Sequence, residues 1–421
     1  VKLTNHRKTT GSYHDLLDLH HSLLLRRSMR GETSILRGDG RAGDPAARLA
    51  AWTERLDDQR LLRESLPLVE PLPDTLTHLY TALFRDNPHL RSLFPGSITA
   101  QRERLTWSFR QLIDGLDEPD RLITLFGELG RAHRKLGVRT PHYQPFGAAF
   151  LEALRLRAGA AWCTAYDDAW HRAYQFLADV MSDAANRAIA SPPYVTGTVV
   201  EHERRRPDLA ILRVRTAAPY EYRAGQYATI ASEHLPHTWR SYSMATAPNA
   251  DALLEFHVRA TGSDQLSDVL VHRTTVGDRL RLGPVRGTMT IAPQPVRGVL
   301  LAAGGTGLAP ILALLGALTQ VPEPPETWLI FGARTREDLY WQTELQSYAD
   351  RFPWLHPVLT VSDEIAYPHE FGTVVDAVIR HGDRWRGYDA YLAGPARMVT
   401  ALAAYLLELG VAPDRIQHDP L

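Results

Sequence analysis

One cysteine, Cys163, stands in a chain of 421 residues. It excludes an internal disulfide and fits a reducing compartment, so a cytoplasmic protein is expected. It also excludes an iron–sulfur cluster, which takes about four protein ligands. Excess charge is missing too, with 47 Lys and Arg against 48 Asp and Glu. That balance removes the electrostatic case for nucleic acid or an anionic membrane surface as a partner. No run approaches the ~20 apolar residues needed to span a bilayer. The early stretch Leu16 to Leu25 is broken by Asp18, His20 and His21 and followed by Arg26 and Arg27. It reads as a short amphipathic helix or loose tail rather than a secretory signal. Apolar content of 44% and charged content of 23% are those of an ordinary globular protein, and the length suits about two or three domains, each with its own core.

Four segments follow from the pattern. Residues 1–51 form an N-terminal extension, a short helix or a flexible connection, with Gly31 to Pro45 rich in Gly, Asp and Arg. Its His14, His20 and His21 lack any further ligand pattern and read as solvated side chains. Residues 52–190 are helical almost throughout, as in Leu76, Tyr80, Leu83 and Phe84 or Trp162, Tyr166, Trp170, Leu177 and Met181. Breakers at Asn87-Pro88, Pro95-Gly96, Glu118-Pro119 and Thr140-Pro141 divide that segment into six or seven helices. Ser191-Pro192-Pro193 closes it, because Pro-Pro cannot continue a helix. Residues 194–295 carry short strands separated by turn residues, the grammar of a small antiparallel β-barrel. Residues 296–421 alternate buried strands with helices, which argues a parallel α/β sheet.

Chemistry concentrates between Tyr222 and Ser243. Arg240 is suited to a bidentate phosphate contact. Tyr242 offers a face for stacking and Ser243 a hydroxyl that reaches a ring nitrogen. The run Gly304-Gly-Thr-Gly-Leu-Ala-Pro310 follows the apolar strand Gly298 to Ala303 and opens a helix. Such a turn lets backbone N–H groups and the helix N-terminus approach a pyrophosphate. Gly394-Pro395 comes about ninety residues later, after another strand.

Gly225-Gln-Tyr227 followed by Arg240-Ser241-Tyr242-Ser243 resembles the flavin-binding barrel of the ferredoxin-reductase-like family. The resemblance implies that Tyr227 and Arg240 to Ser243 hold FAD, with Gly262, Gln265 and Ser267 near its phosphates. It implies that Gly304, Gly305, Thr306, Gly307, Leu308, Ala309 and Pro310, with Gly394 and Pro395, cradle NADH or NADPH. Arg334 and Arg336 are either contacts for a 2′-phosphate or solvated charges, so the choice of nicotinamide stays open. One departure is the C-terminus, Ile416-Gln-His-Asp-Pro-Leu421, which lacks the aromatic residue that covers the flavin in relatives with a globin. Leu421 or His418 would have to serve as the cover, or none does.

The helical segment resembles the globin of flavohaemoglobins, on Asp86-Asn-Pro-His-Leu-Arg-Ser-Leu-Phe94-Pro, on Gln101-Arg-Glu-Arg-Leu105, and on His133 following Leu122, Leu125, Phe126 and Leu129. Carried over, His133 would be the iron ligand of haem b and Phe94 would pack on the macrocycle. Tyr80, Gln101 and Leu105 would line the ligand pocket, and Tyr143 would hydrogen-bond near the histidine. A second departure is Ala185, where the family has a glutamate that makes the histidine more basic; Asp183 lies on another face. A weaker electron push onto iron and a higher haem potential follow. The activity implied is NAD(P)H-dependent nitric oxide dioxygenation. The alternatives are a reductase or oxygenase with another acceptor or substrate, and a haem-based gas or redox sensor.

Overall fold

A computed structural model describes residues 56–95, 97–262, 265–292, 297–365 and 368–419. The expectations for residues 1–51, for the three early histidines and for Leu421 lie outside these residues. The chain divides into two compact units, the division falling between Pro193 and Tyr194.

The first unit is all-helical. Its α-helices are α1 Leu56–Val69, α2 Leu72–Asp86, α3 Thr99–Asp114, α4 Pro119–His133, α5 Tyr143–Ala158 and α6 Thr164–Arg187, with short 3₁₀ turns between them. Proline sets the starts of α2 and α4, where a missing N–H costs nothing. The core centres on Trp170, which is fully buried and donates its indole N–H to Ser65 Oγ at 2.9 Å. Phe109 and Phe150 pack on it with centroids 5.3 and 5.9 Å away. Helices α4 and α6 run in near contact because Gly130 leaves no side chain between them; a Cβ there would stand 2.2 Å from the Met181 carbonyl oxygen. This crossing carries His133 one turn further along α4.

The second unit opens with a six-stranded antiparallel sheet in the order β4-β3-β6-β1-β2-β5. The strands are β1 Val195–Arg206, β2 Leu209–Thr216, β3 Tyr227–Ser232, β4 Arg240–Ser243, β5 Leu253–Arg259 and β6 Arg279–Leu282. The Ala245 N–H donates to the Glu255 carbonyl at 2.8 Å and nearly closes the sheet into a barrel. Inward residues Val199, Leu212, Val214, Ile230, Phe256 and Leu280 fill the interior, as period-2 alternation requires.

A parallel sheet follows in the order β10-β9-β8-β7-β11-β12. It contains β7 Val299–Gly304, β8 Thr327–Ala333, β9 Leu355–Val361, β10 Glu370–Phe371, β11 Asp389–Ala393 and β12 Ile416–His418. Four helices alternate with these strands: α7 Leu308–Leu318, α8 Gln342–Arg351, α9 Val374–Arg380 and α10 Ala396–Glu408. The strand order reverses between β7 and β11, and sheets of this kind bind ligands at that crevice. Among the described residues no helix is long and apolar enough to cross a membrane.

Candidate functional site

His133 ends α4, and its Nδ1–H donates to the Leu129 carbonyl of the preceding turn at 2.7 Å. This bond fixes the tautomer and leaves Nε2 with its lone pair. Burial lowers the imidazole pKa, against the opposing pull of the Leu129 carbonyl, so the ring is neutral at neutral pH. A neutral imidazole is the form that ligates iron. The acceptor on Nδ1 is a neutral carbonyl, and the half-buried Ala185 brings no carboxylate.

Residues expected around a haem gather in the same core. Tyr80 is buried and its ring meets Phe94 edge-on at 5.7 Å, while Phe84 meets Phe94 at 5.2 Å. Phe94, Leu105, Leu129 and Tyr143 are half-buried and pack against the core cluster. Gln101 and Leu105 lie one turn apart on α3. The Gln101 side-chain oxygen is buried with no hydrogen-bond partner among the described residues. A buried amide without a partner for its oxygen, on the helix that also carries Leu105, fits a site that takes a polar ligand beside apolar side chains. Tyr80 stays a proton donor, since burial raises its pKa despite the charges of Arg102 and Arg104. The Tyr143 backbone carbonyl accepts from the Tyr174 hydroxyl at 2.5 Å, and His133 Nδ1 is engaged by the Leu129 carbonyl. Among the described residues no group of three or more His, Cys, Asp or Glu side chains could hold a metal ion.

Cross-strand register gathers the flavin residues. Tyr227 pairs with Ser243, Ala228 with Tyr242, Thr229 with Ser241 and Ile230 with Arg240. Arg240 donates to the Trp239 carbonyl at 2.9 Å. The Tyr242 hydroxyl is buried with no partner among the described residues, and burial raises its pKa. An unpartnered phenol on the strand that carries Arg240 and Ser243 fits a ring system with polar edges. Ser267 is buried and its hydroxyl bonds Thr261 at 2.9 Å, while the Gly262 N–H donates to Asp268 at 3.1 Å. Gln265 precedes the short helical turn Leu266–Asp268 and is exposed.

The nucleotide turn lies at the strand-order reversal. Gly304 ends β7, Gly305–Gly307 forms a 3₁₀ turn, and Leu308 begins α7. Gly305 takes φ +56°, a conformation costly for other residues. A Cβ on Gly307 would stand 2.4 Å from the Ala393 carbonyl oxygen and 2.6 Å from the Gly394 nitrogen. Gly304-Gly307 and Gly394-Pro395 are thus in contact. Leu308, Ala309 and Pro310 are buried, so their side chains serve the core, while Gly305, Thr306 and Gly307 are half-buried and keep part of their backbone accessible. Arg334 and Arg336 are exposed in the loop after β8.

Asp419 was not anticipated. Its Oδ1 is buried without a hydrogen-bond partner among the described residues. A Cβ on Gly287 would stand 2.8 Å from that oxygen and 3.0 Å from the Tyr227 ring, which puts the carboxyl beside a flavin residue. His418, one of the two cover candidates, has its Nδ1 within 2.8 Å of the Asp419 carbonyl oxygen. Burial pushes the Asp419 carboxyl up to about 8, and the Thr288 backbone N–H pulls it partly back. A folded state that keeps this proton longer than the unfolded chain is favoured at low pH. That advantage is complete below about pH 4 and is lost as pH rises to about 8, at up to ~1.4 kcal/mol per pH unit. Asp419→Asn is expected to flatten the slope and to raise the melting midpoint of the reductase unit at pH 8 relative to wild type. Flavin fluorescence melts from pH 5 to 8 measure it; parallel curves for the two proteins would refute the assignment.

Comparison with known proteins bears on these sites together. Family models match a globin over residues 77–181, an oxidoreductase FAD-binding domain over 196–291 and an oxidoreductase NAD-binding domain over 301–404. A flavohemoprotein of Bordetella pertussis is 26% identical over 387 residues, covering 85% of this chain and 96% of that one. The chain carries a globin, an FAD-binding and an NAD-binding oxidoreductase domain, in the order of the flavohemoproteins it is similar to. It is an oxidoreductase whose cofactors are haem, FAD and NAD(P)H, and it joins an electron-transferring reductase module to a globin. A flavohemoglobin from Malassezia yamatoensis, solved with bound FAD and haem, shares the fold with a TM-score of 0.65 at 18% identity, over 86% of this chain and 98% of that one. The reductase half has another relative. The ferredoxin–NAD(P)⁺ reductase component of the naphthalene 1,2-dioxygenase and salicylate 5-hydroxylase systems of a Ralstonia species is 35% identical over 227 residues, covering 53% of this chain and 68% of that one.

Proposed function

We propose that this chain is an NAD(P)H-dependent nitric oxide dioxygenase, which combines NO with O₂ to give nitrate. The observation that carries it is the neutral imidazole of His133, held through Nδ1 by Leu129 with Nε2 left for a metal. When bound, haem supplies the centre at which the gases combine, and FAD divides the electron pair of a hydride into single electrons. His133 holds the iron, and the Leu129 carbonyl keeps its ring oriented. Tyr80 and Gln101 donate hydrogen bonds to a ligand that gathers negative charge. Phe94 and Leu105 exclude water. In the reductase unit Arg240 pairs with a flavin phosphate, Tyr242 stacks on the ring and Ser243 meets a ring nitrogen. The backbone of Gly305 to Gly307 and the α7 N-terminus receive the pyrophosphate of NAD(P)H. Rapid mixing of the NAD(P)H-reduced, aerated protein with NO is expected to give a burst of NAD(P)H oxidation and one nitrate per NO consumed. Oxidation that ignores NO would reject the proposal.

A second reading is favoured by the 35% identity of the reductase half to a ferredoxin–NAD(P)⁺ reductase component and by the missing carboxylate at Ala185. In it the physiological acceptor is another redox protein or small oxidant. The same mixing experiment separates the two, since turnover then depends on the added acceptor and not on NO.

A further inference from the structure

Strand β5 of the flavin barrel turns Leu254, Phe256 and Val258 inward and is left with Glu255, His257 and Arg259 outward. An outward row of ionisable residues ordinarily meets water, yet Glu255 and His257 are buried. What covers them is the segment Thr335–Trp341, which follows β8 in the nucleotide-binding sheet. The Tyr340 hydroxyl and His257 Nδ1 are 2.8 Å apart, and His257 Nε2 lies 3.0 Å from Glu255 Oε1. Arg213 Nε donates to Glu255 Oε2 at 2.7 Å. Glu255 accepts from Nε2–H, so Nδ1 is the acceptor for Tyr340, a tautomer assigned from the network. The His257 ring also stacks on Trp341 at 4.9 Å, with Arg205 5.0 Å over the same indole. Two residues before Tyr340, Asp338 accepts from Arg259 at 3.0 Å, and the Thr335 hydroxyl donates to it at 3.2 Å.

We infer that the chain Tyr340–His257–Glu255–Arg213 fixes the loop after β8 against the flavin barrel, making Tyr340 and His257 positioning residues for NAD(P)H binding. This rests on the reading of Gly304–Gly307 and Gly394 as the nucleotide cradle. The loop carries Arg334 and Arg336 and leaves β8 beside that cradle, since Gly332 of β8 pairs with Gly304 of β7. Buried polar networks contribute less to net stability than an apolar contact of the same area, but they are directional. Their effect here is on the placement of the loop. Neither residue transfers hydride or touches the flavin in this account.

The test uses full-length protein loaded with haem and FAD, assayed for NADH and NADPH oxidation with ferricyanide as acceptor. Tyr340→Phe keeps the ring and removes the hydrogen bond. The expected result is a KM for the nicotinamide about 5- to 20-fold higher, with kcat changed less than about twofold and the flavin spectrum unaltered. Glu255→Gln, which keeps the shape and removes the charge that orients His257, is expected to move KM the same way and serves if Tyr340→Phe folds poorly. Tyr388→Phe, which deletes a hydroxyl bond to Glu326 elsewhere in the same unit, is the control and should leave KM alone. A normal KM in both Tyr340→Phe and Glu255→Gln, whatever their melting points, overturns the inference. Wild-type protein that cannot oxidise NADH or NADPH with ferricyanide overturns the nucleotide cradle itself.

Discussion

Replacing His133 by alanine abolishes the Soret absorbance near ~410 nm while flavin absorbance and NAD(P)H–ferricyanide turnover persist. Two features of the site fix this expectation. Among the described residues no cluster of His, Cys, Asp and Glu offers the metal an alternative home, and His133 is kept neutral and oriented by the bond from Nδ1 to Leu129. Loss of the one protein ligand lowers metal affinity by more than the ~10- to 100-fold that loss of a supporting partner brings. NO-dependent nitrate formation should therefore fall by at least about 1000-fold. The reductase assay should hold within about twofold, because Tyr227, Arg240 and the nucleotide turn belong to the other compact unit. Added imidazole fills the space the side chain vacates and is expected to restore part of the Soret band. That rescue separates loss of a ligand from collapse of the helical unit, which far-ultraviolet dichroism also reads. A His133→Ala protein that keeps full haem absorbance without imidazole would end the assignment of iron to this position.

How much of this was legible in the chain depends on how local each signal is. The strand–glycine–helix run at Val299–Leu318 and the helix bearing His133 are written in contiguous residues, so pattern and turn chemistry reach them. The flavin strands were legible as a pair of motifs. Their register, Tyr227 against Ser243, follows from barrel closure that no spacing rule supplies. Asp419 was invisible, because an aspartate after a short strand reads as solvated until Gly287 and Tyr227 are folded over it. His257 and Tyr340 stand 83 positions apart. The sequence does carry a trace of their meeting, in the unbroken outward row Glu255, His257, Arg259 on a strand whose other face is apolar. Such a row on a strand whose other face is core signals a polar partner surface, but it does not say which one.

Gly307→Ala tests the other half of the electron path and is expected to depress NAD(P)H oxidation by about 100-fold or more. The added methyl would stand 2.4 Å from the Ala393 carbonyl oxygen, 2.5 Å from its carbon and 2.6 Å from the Gly394 nitrogen. All three are backbone atoms at the end of β11, held by parallel pairing of Ala393 with Ala303, so no side chain can rotate away. The two turns must separate, and overpacking of this kind costs about 1–3 kcal/mol in stability. Because those turns are the walls of the crevice at the strand-order reversal, the strain falls on the nucleotide site first. Gly305 makes an informative contrast. It has positive φ but open space where a Cβ would go, so Gly305→Asn, which tolerates that backbone, should leave the fold unstrained and lose turnover through a raised KM, because its side chain enters the space the pyrophosphate takes. Both variants should retain the haem spectrum and reduce normally with dithionite, since the globin unit folds around its own core. Steady-state assays with NADH and NADPH, with ferricyanide as acceptor, measure both effects. If Gly307→Ala turns over like wild type, or if Gly305→Asn leaves KM unchanged, the crevice between β7 and β11 is not where the nicotinamide nucleotide binds.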